Sequence, residues 1–534
     1  MKKTMKRHSF IARLASLAVV CGLTLAFASC ANDDLAQNGK TSTDDKGLTA
    51  FSTGDPVTRT TMEADGKFYW EAGDKIWVKD DSSNWKQSSN SPKGKTASFK
   101  FLMPGKYTAK SSYEVYYPGK NGNQNQVTIS ANQTQTEPNT TAHFGASGDC
   151  GIAKATRNAT SHEFEFTLDH KAAYLVFKPY TSNDVLKHCY LTKIEVTSDN
   201  DITDTYTLDP TAATGTGALT GTGSGKKIEL ITKGNSGSTY PNGFPLTNTS
   251  ASLTTNGAYM IIKPGTHTLR IRYWVKDVAT NIEGTITKII PSHTFAKNEY
   301  VNMEADLQIK NYDGDHYYQW DAQQQYWYGY EWTKNLPAGI GQPTTINQPA
   351  GNFPHSSTDP RYYNESYPGW GVSNPATHTP CKDLPNANEL SWYVMYGDPR
   401  WDGDELWTTM GHLYKGGMLF KKKSVLQAEN HYDTEKSADG STDLRTTWNK
   451  YENLSSSITS GIPSVADASN YFYLPALGYC HVGKLLLIGY MGFYWSSSAY
   501  PWLSGSAYHL VFTGGSISVN RSIGEEGYRV DGFE

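Results

Sequence analysis

Short runs in which apolar and polar residues alternate, broken every few positions by Gly, Asn, Asp or Pro, extend from about residue 68 to the end of the chain. Phe164-Glu165-Phe166-Thr167-Leu168 alternates strictly, and a period of two puts Phe164, Phe166 and Leu168 on one buried face of a strand. The run Phe68 to Val78 holds two aromatic or β-branched stretches around a Gly73-Asp74 turn. Further strands are predicted at 99–101, 113–117, 172–177, 191–196, 259–262, 269–275 and 300–307, separated by turn residues at the spacing of a β-sandwich. One helix is well specified. Asn386 is suited to cap its start and Glu389 completes the N-cap-x-x-Glu arrangement; Leu390, Tyr393 and Val394 share a face, and Gly397 and Pro399 end it. Near the C-terminus, Phe493 with Trp495 and Tyr508 with Leu510 and Phe512 are expected to face a core. The predicted fold is mainly β.

Composition narrows this. The chain of 534 residues has 48 Gly, 35 Tyr and 14 Trp but only 19% charged residues, the profile of an extracellular β protein with many turns. At ~150 residues per domain it holds about three compact units. A net charge of -4, with Lys421-Lys422-Lys423 the one clustered basic run, offers no surface for phosphate, so no nucleic-acid partner is expected. A basic start (Lys2, Lys3, Lys6, Arg7) leads into the apolar run Leu14 to Ala28, too short to span a bilayer comfortably, so residues 1–29 read as an export signal. Its end, Leu25-Ala26-Phe27-Ala28-Ser29-Cys30, resembles the lipobox of bacterial lipoproteins. That resemblance implies a lipid on Cys30, and Ala31-Asn32-Asp33-Asp34 resembles the signal that carries Bacteroidetes lipoproteins to the outer face of the outer membrane. Residues 30–49 have little to bury and read as a lipidated flexible tether. Cys150, Cys189, Cys381 and Cys480 are then left. They allow three disulfide pairings that spacing does not choose among, and buried free thiols are the simpler expectation.

Arg59-Thr60-Thr61-Met62, Gly73-Asp74-Lys75-Ile76, Leu168-Asp169-His170-Lys171-Ala172-Ala173-Tyr174-Leu175, Ile262-Lys263-Pro264-Gly265 and Phe295-Ala296-Lys297-Asn298-Glu299-Tyr300 occur in the order seen in fimbrillins. Residues 50–309 therefore resemble the fimbrillin family of Bacteroidetes pilins and pilus-associated lipoproteins. The resemblance implies two tandem β-sandwich lobes, 50–179 and 180–309, with a seam near Pro179, and other pilus subunits as partners. In that family a cut near an N-terminal Arg removes the first strand and opens a groove for a neighbour's strand. Arg59 lies where such a cut would fall, and an Arg on the first strand or its turn accounts for it equally well.

From Asn311 the composition changes, with Tyr317, Tyr318, Trp320, Tyr326, Trp327, Tyr328, Tyr330 and Trp332 in one segment. After a linker at 310–315, residues 316–534 carry Leu384-Pro385, Leu474-Pro475, Gly492-Phe493-Tyr494-Trp495-Ser496-Ser497 and Gly527-Tyr528-Arg529-Val530. This ordered set resembles the Fibrobacter-type major paralogous domain, which is similar to C-type-lectin-like folds, including the ligand-binding proteins diversified by retroelements. The resemblance implies an α+β domain with two helices and a twisted antiparallel sheet.

Positive signs of catalysis are lacking. The stretch 214–225 fails as a phosphate loop, because Thr220 stands at the first required Gly and Lys227 replaces the Ser or Thr that would hold magnesium. No His-Glu-x-x-His or Gly-x-Ser-x-Gly occurs, and neither Cys381 nor Cys480 has an activating base beside it in sequence. Asp313-Gly314-Asp315 and Asp402-Gly403-Asp404-Glu405 do not continue into a calcium loop and read as solvated turns; Trp448-Asn449-Lys450 only approaches a calcium-lectin triplet. No enzyme activity, cofactor or metal is expected. The chemistry concentrates instead in Tyr500-Pro501-Trp502-Leu503-Ser504-Gly505-Ser506, a loop whose large aromatics are hard to bury beside Pro and Gly. Tyr500, Trp502, Leu503, Ser504 and Ser506 are the expected ligand contacts, with Ser516, Ser518, Asn520 and Arg521 as weaker ones. The expected protein is a surface-anchored, fimbria-associated adhesin, lipid-anchored in the outer membrane or built into a fimbria, whose head binds a surface glycan or protein. A pilus tip or anchor subunit assembling by strand addition, or an accessory of polysaccharide processing, are the alternatives.

Overall fold

A computed structural model describes residues 47–53, 61–62, 68–212, 219–364, 374–454, 458–459 and 461–534. The chain is mainly β. The signal, Cys30, most of the tether and Arg59 lie outside the described residues.

The first core is wrapped by an eight-stranded sheet. Along its main path the order is Trp85–Gln87, Trp77–Lys79, Ser112–Tyr117, Gly151–Arg157, Phe164–Phe166, Leu48–Thr53 and Lys100–Pro104. Its edges meet. Ser89 N–H donates to the Leu102 carbonyl at 2.8 Å, and the Asn90 amide accepts from Leu102 N–H and donates to the Lys100 carbonyl, so the two layers are one sheet folded over. The predicted alternation holds, with Phe164 and Phe166 buried and Glu165 exposed between them. Trp70 sits fully buried with its ring 4.9 Å from Phe101 and 5.5 Å from Tyr117. The Gly73-Asp74 turn forms as read: Gly73 adopts φ 84°, and Asp74 accepts from the Glu71 N–H and the Tyr117 hydroxyl.

The second core lies between a three-stranded sheet, Ala258–Ile262, Ala173–Tyr180 and Tyr300–Asp306, and the strands Lys227–Ile231, Tyr190–Ser198, Gly265–Asp277 and Ile282–Phe295 of a larger sheet. Pro179, the expected seam, falls inside the strand Ala173–Tyr180, which pairs in parallel with Tyr300–Asp306. The cores change over between Leu168 and Ala172 instead, and Val127, Ile129 and Phe144 from earlier in the chain join the second one. At that crossing, Asp149 is fully buried and accepts hydrogen bonds from Tyr174 at 2.6 Å and from His170 at 2.9 Å. The edge of Ala258–Ile262 is closed by side chains. The Gln133 amide accepts from Ile261 N–H and donates to Ile261 C=O, while Gln135 accepts from Tyr259 N–H and donates to Gly257 C=O.

In residues 311–534, the helix Ala387–Tyr396 has the predicted capping box, with Asn386 accepting from Glu389 N–H and Glu389 accepting from Asn386 N–H. It covers one face of a six-stranded sheet ordered Tyr317–Tyr318, Tyr528–Arg529, Gly492–Ala499, Ser506–Thr513, Ser516–Ile523 and Tyr451–Leu454. Both faces of this sheet are buried: Tyr494, Tyr508, Leu510 and Phe512 share a core with the helix, and Phe493, Trp495, Ala507 and Tyr528 form a second core behind. The closing Tyr528–Arg529 strand ties the segment's two ends. Arg529, fully buried, pairs with Asp531 at 2.7 Å, donates to the Asp313 carbonyl and stacks on Tyr317.

Two stretches that read as linker and solvated turn lie in strands. Asn311–Tyr312, placed in the linker 310–315, already pairs with the strand Arg400–Thr409. Asp402 and Glu405 are not in a solvated turn but in that strand, which carries a bulge between Asp402 and Leu406 and meets Ile282–Phe295 at Thr285 and Glu405. Asp402 pairs with the buried Arg272 at 2.8 Å, and Glu405 accepts from the Thr285 and Thr287 hydroxyls. Burial, then the neighbouring Asp402, hold the Glu405 carboxyl above the ordinary carboxylate range. Arg270 donates to the carbonyls of Pro463 and Ser464. The ten-stranded sheet that results runs from the second core into the C-terminal one.

Candidate ligand-binding loop

The loop between strands Gly492–Ala499 and Ser506–Thr513 is short because the hairpin closes on itself: Tyr500 N–H donates to the Ser506 carbonyl at 2.9 Å, and Ser506 N–H donates to Leu503 C=O. Gly505 adopts φ 77°, a conformation that costs glycine little. The closure turns Trp502, Leu503 and Ser504 outward, with Trp502 36% and Leu503 39% exposed. Tyr500 is half-buried, its ring 5.1 Å from Tyr508 in an edge-to-face contact, and the Arg521 guanidinium lies 5.4 Å above it. Tyr508 in turn donates to the Leu444 carbonyl at 2.8 Å.

Not every expected contact belongs here. Ser506 is fully buried, because it opens a strand and pairs with Ile523 rather than ending the loop. Ser516 and Ser518 pair with Thr513 and Val511 at the opposite end of the hairpin. Seven residues at the strand rise put Ser516 on the order of 20 Å from the loop. Asn520 pairs with His509, whose ring contacts Trp495 and Phe493, so alternation places it on the face away from Tyr500. Arg521 pairs with Tyr508 and joins the loop. The site brought together is thus Tyr500, Trp502, Leu503, Ser504 and Arg521.

Two exposed residues at the same end of the sheet were not among the expected contacts. Ile523, the partner of Ser506, is 48% exposed. Trp448, 58% exposed, precedes the strand Tyr451–Leu454, whose Tyr451 pairs with Val519, so it too runs out at the Ile523 end. Asn449 beside it is held by Asp439 and Tyr451. In the sequence, Trp448-Asn449-Lys450 stands out only as a near miss to a calcium-lectin triplet, which gives no sign of an exposed aromatic.

All four described cysteines are free and buried, and burial pushes the Cys189, Cys381 and Cys480 thiols up to about 12. Burial likewise lowers His143 to about 4 and His509 to about 3. Asp313, Asp315 and His316 cluster at the surface, where His316 bonds both carboxylates.

Neither a protein-family model nor a curated protein matches the chain. Among solved structures, a candidate cell adhesion protein from Bacteroides ovatus is similar over 49% of this chain and 93% of its own, at 14% identity and a TM-score of 0.29. The fimbrial anchor protein Mfa2 from Porphyromonas gingivalis is similar over 46% of this chain and 82% of its own, at 10% identity and a TM-score of 0.21. A fimbrial protein from Bacteroides ovatus aligns over 90% of this chain and 98% of its own, at 11% identity and a TM-score of 0.24.

Proposed function

We propose that the protein is a fimbria-associated adhesin, exported and lipidated at Cys30, whose C-terminal domain binds a surface glycan or protein without a cofactor through the loop at Tyr500 to Ser504. The observation that carries the binding claim is the outward display of Trp502 and Leu503 on a loop whose base is fixed by the Tyr500 to Ser506 hydrogen bond and by Tyr500 against Tyr508. Large apolar side chains held on a rigid frame lose little entropy when a ligand covers them. The ordered fimbrillin-like motifs of residues 50–309 support the association with fimbriae, and the export signal and lipobox-like Cys30 support the surface anchor. The lectin-like reading of 316–534 rests on its own motif set.

The test is an array of surface glycans and proteins probed with the full chain, wild type against Trp502→Ala. Binding lost in the variant, at an unchanged melting temperature, supports the loop; retained binding removes it. Radiolabelled or clickable palmitate incorporated by wild type but not by Cys30→Ala tests the anchor.

A second reading, a pilus subunit that assembles by strand addition, is favoured by one feature. The strand Leu48–Thr53 is not at an edge but lies between Phe164–Phe166 and Lys100–Pro104, with Phe51 buried and stacked 4.8 Å from Phe164. Its removal by a cut at Arg59 would leave a strand-shaped groove lined by aromatic rings. N-terminal sequencing of the mature protein from cells decides it: a start just after Arg59 supports assembly by strand exchange, and a start at Cys30 counts against it.

A further inference from the structure

Five arginines lie in residues 311–534. Four are paired with carboxylates: Arg361 with Asp359 at 2.7 Å, Arg400 with Asp398 at 2.8 Å, Arg445 with Asp443 at 2.8 Å and Arg529 with Asp531 at 2.7 Å. Of these five, Arg521 is the one with no carboxylate of the described residues within ion-pair distance. Among the described residues, the acidic groups on neighbouring elements are engaged elsewhere: Glu525 with the Tyr362 hydroxyl, Glu526 with His481, Glu452 with Lys450, and Asp443 with Arg445 and Asn388. Arg521 is exposed, yet its guanidinium is held 5.4 Å from the Tyr500 ring, itself fixed by Tyr508.

A guanidinium stacked on an aromatic face keeps its N–H edges free in the plane, and those edges match a carboxylate with two parallel hydrogen bonds. Here the guanidinium already lies over the Tyr500 ring before any ligand arrives, and on the same loop frame stand the exposed Trp502 and the hydroxyl of Ser504. An indole of this size suits the C–H face of a pyranose ring, and a hydroxyl suits its rim. We infer that the ligand of this loop is a carboxylated sugar, of the uronic or sialic type, whose ring stacks on Trp502 while its carboxylate is received by Arg521. This rests on the loop being the binding site. A carboxylate in an acidic peptide would also meet Arg521, but Asp and Glu do not carry their carboxylate on a ring that Trp502 can stack against.

The experiment titrates full-length protein with sialyllactose against lactose, with a hyaluronan oligosaccharide against its carboxyl-reduced counterpart, and with a glutamate-rich peptide. Wild type is compared with Arg521→Gln, Arg521→Lys and Trp502→Ala, each with its melting curve. Wild type should prefer an acidic sugar to its neutral partner by roughly ten- to a hundred-fold, the range of hydrogen bonds to a charged group. Arg521→Gln should abolish that preference, and Arg521→Lys should keep part of it. Trp502→Ala should weaken both members of a pair, and the preference should shrink with added salt. Equal binding of acidic and neutral sugars, still lost in Trp502→Ala, would overturn the carboxylate inference and leave the loop in place. Sugar binding untouched by Trp502→Ala would overturn the loop itself. Preference for the peptide, or no binding of any acidic sugar, would overturn the sugar class.

Discussion

Trp502 and Trp495 lie seven residues apart and have opposite fates. Trp495 is fully buried, donates to the Tyr318 carbonyl and packs 4.4 Å from Tyr528, so Trp495→Ala should cost about 3–5 kcal/mol and be visible as a lowered denaturation midpoint. Trp502→Ala should change stability by no more than about 0.5 kcal/mol, because its outward face contacts water. Equal losses for the two would show that the loop packs on its own domain. His509 makes a different prediction. Burial holds its imidazole neutral down to about 3, against an ordinary value of 6.5. The unfolded chain takes up a proton below about pH 6.5 that the folded one refuses. Stability is therefore complete above that pH and is lost on acidification toward pH 3, by up to ~1.4 kcal/mol per unit. Buried His143, lowered to about 4, adds a loss of the same sign. Urea midpoints measured between pH 7 and 4 should fall with acid, and more shallowly in His509→Gln.

At the scale of elements, the helix Ala387–Tyr396 was legible because its start is a local event: Asn386 and Glu389 satisfy each other's backbone donors whatever surrounds them. Asn386→Ala should cost about 1 kcal/mol, read from chemical denaturation, with a smaller loss for Glu389→Gln. The strands were legible for the same reason, since alternation in Phe164 to Leu168 is dictated by the pleat. What escaped was pairing between distant strands. Ala173–Tyr180 continues the first lobe in sequence but finds its partners at Ala258–Ile262 and Tyr300–Asp306, which displaced the seam from Pro179. Ser506 reads as a loop serine until its register with Ile523 is known, and Asn520 and Arg521 can be assigned to opposite faces only from the partners His509 and Tyr508. Asp402 and Glu405 carry the composition of a solvated turn, and only the opposing Arg272, Thr285 and Thr287, more than a hundred residues earlier, make them interior groups.

Across the whole molecule, the second lobe and the C-terminal domain are joined by more than a peptide. Removing one member of the Arg272–Asp402 pair leaves a buried charge uncompensated, so Arg272→Ala should destabilise by about 3–5 kcal/mol. Replacing both by leucine should cost much less. In scanning calorimetry, the single variant should separate the melting of the two domains into distinct transitions, where wild type unfolds them together. The second core accordingly takes in Leu406 and Leu413 from the C-terminal segment beside Ile286 of the strand Ile282–Phe295. The junction also bears on how such molecules can be inherited. A recombination at residue 310 that moved the C-terminal domain onto another N-terminal part would carry Asp402 away from Arg272, and Glu405 away from the hydroxyls of Thr285 and Thr287. Domain exchange between related genes is open only to crossovers that bring Arg272, Thr285 and Thr287 along, which means before the strand Gly265–Asp277.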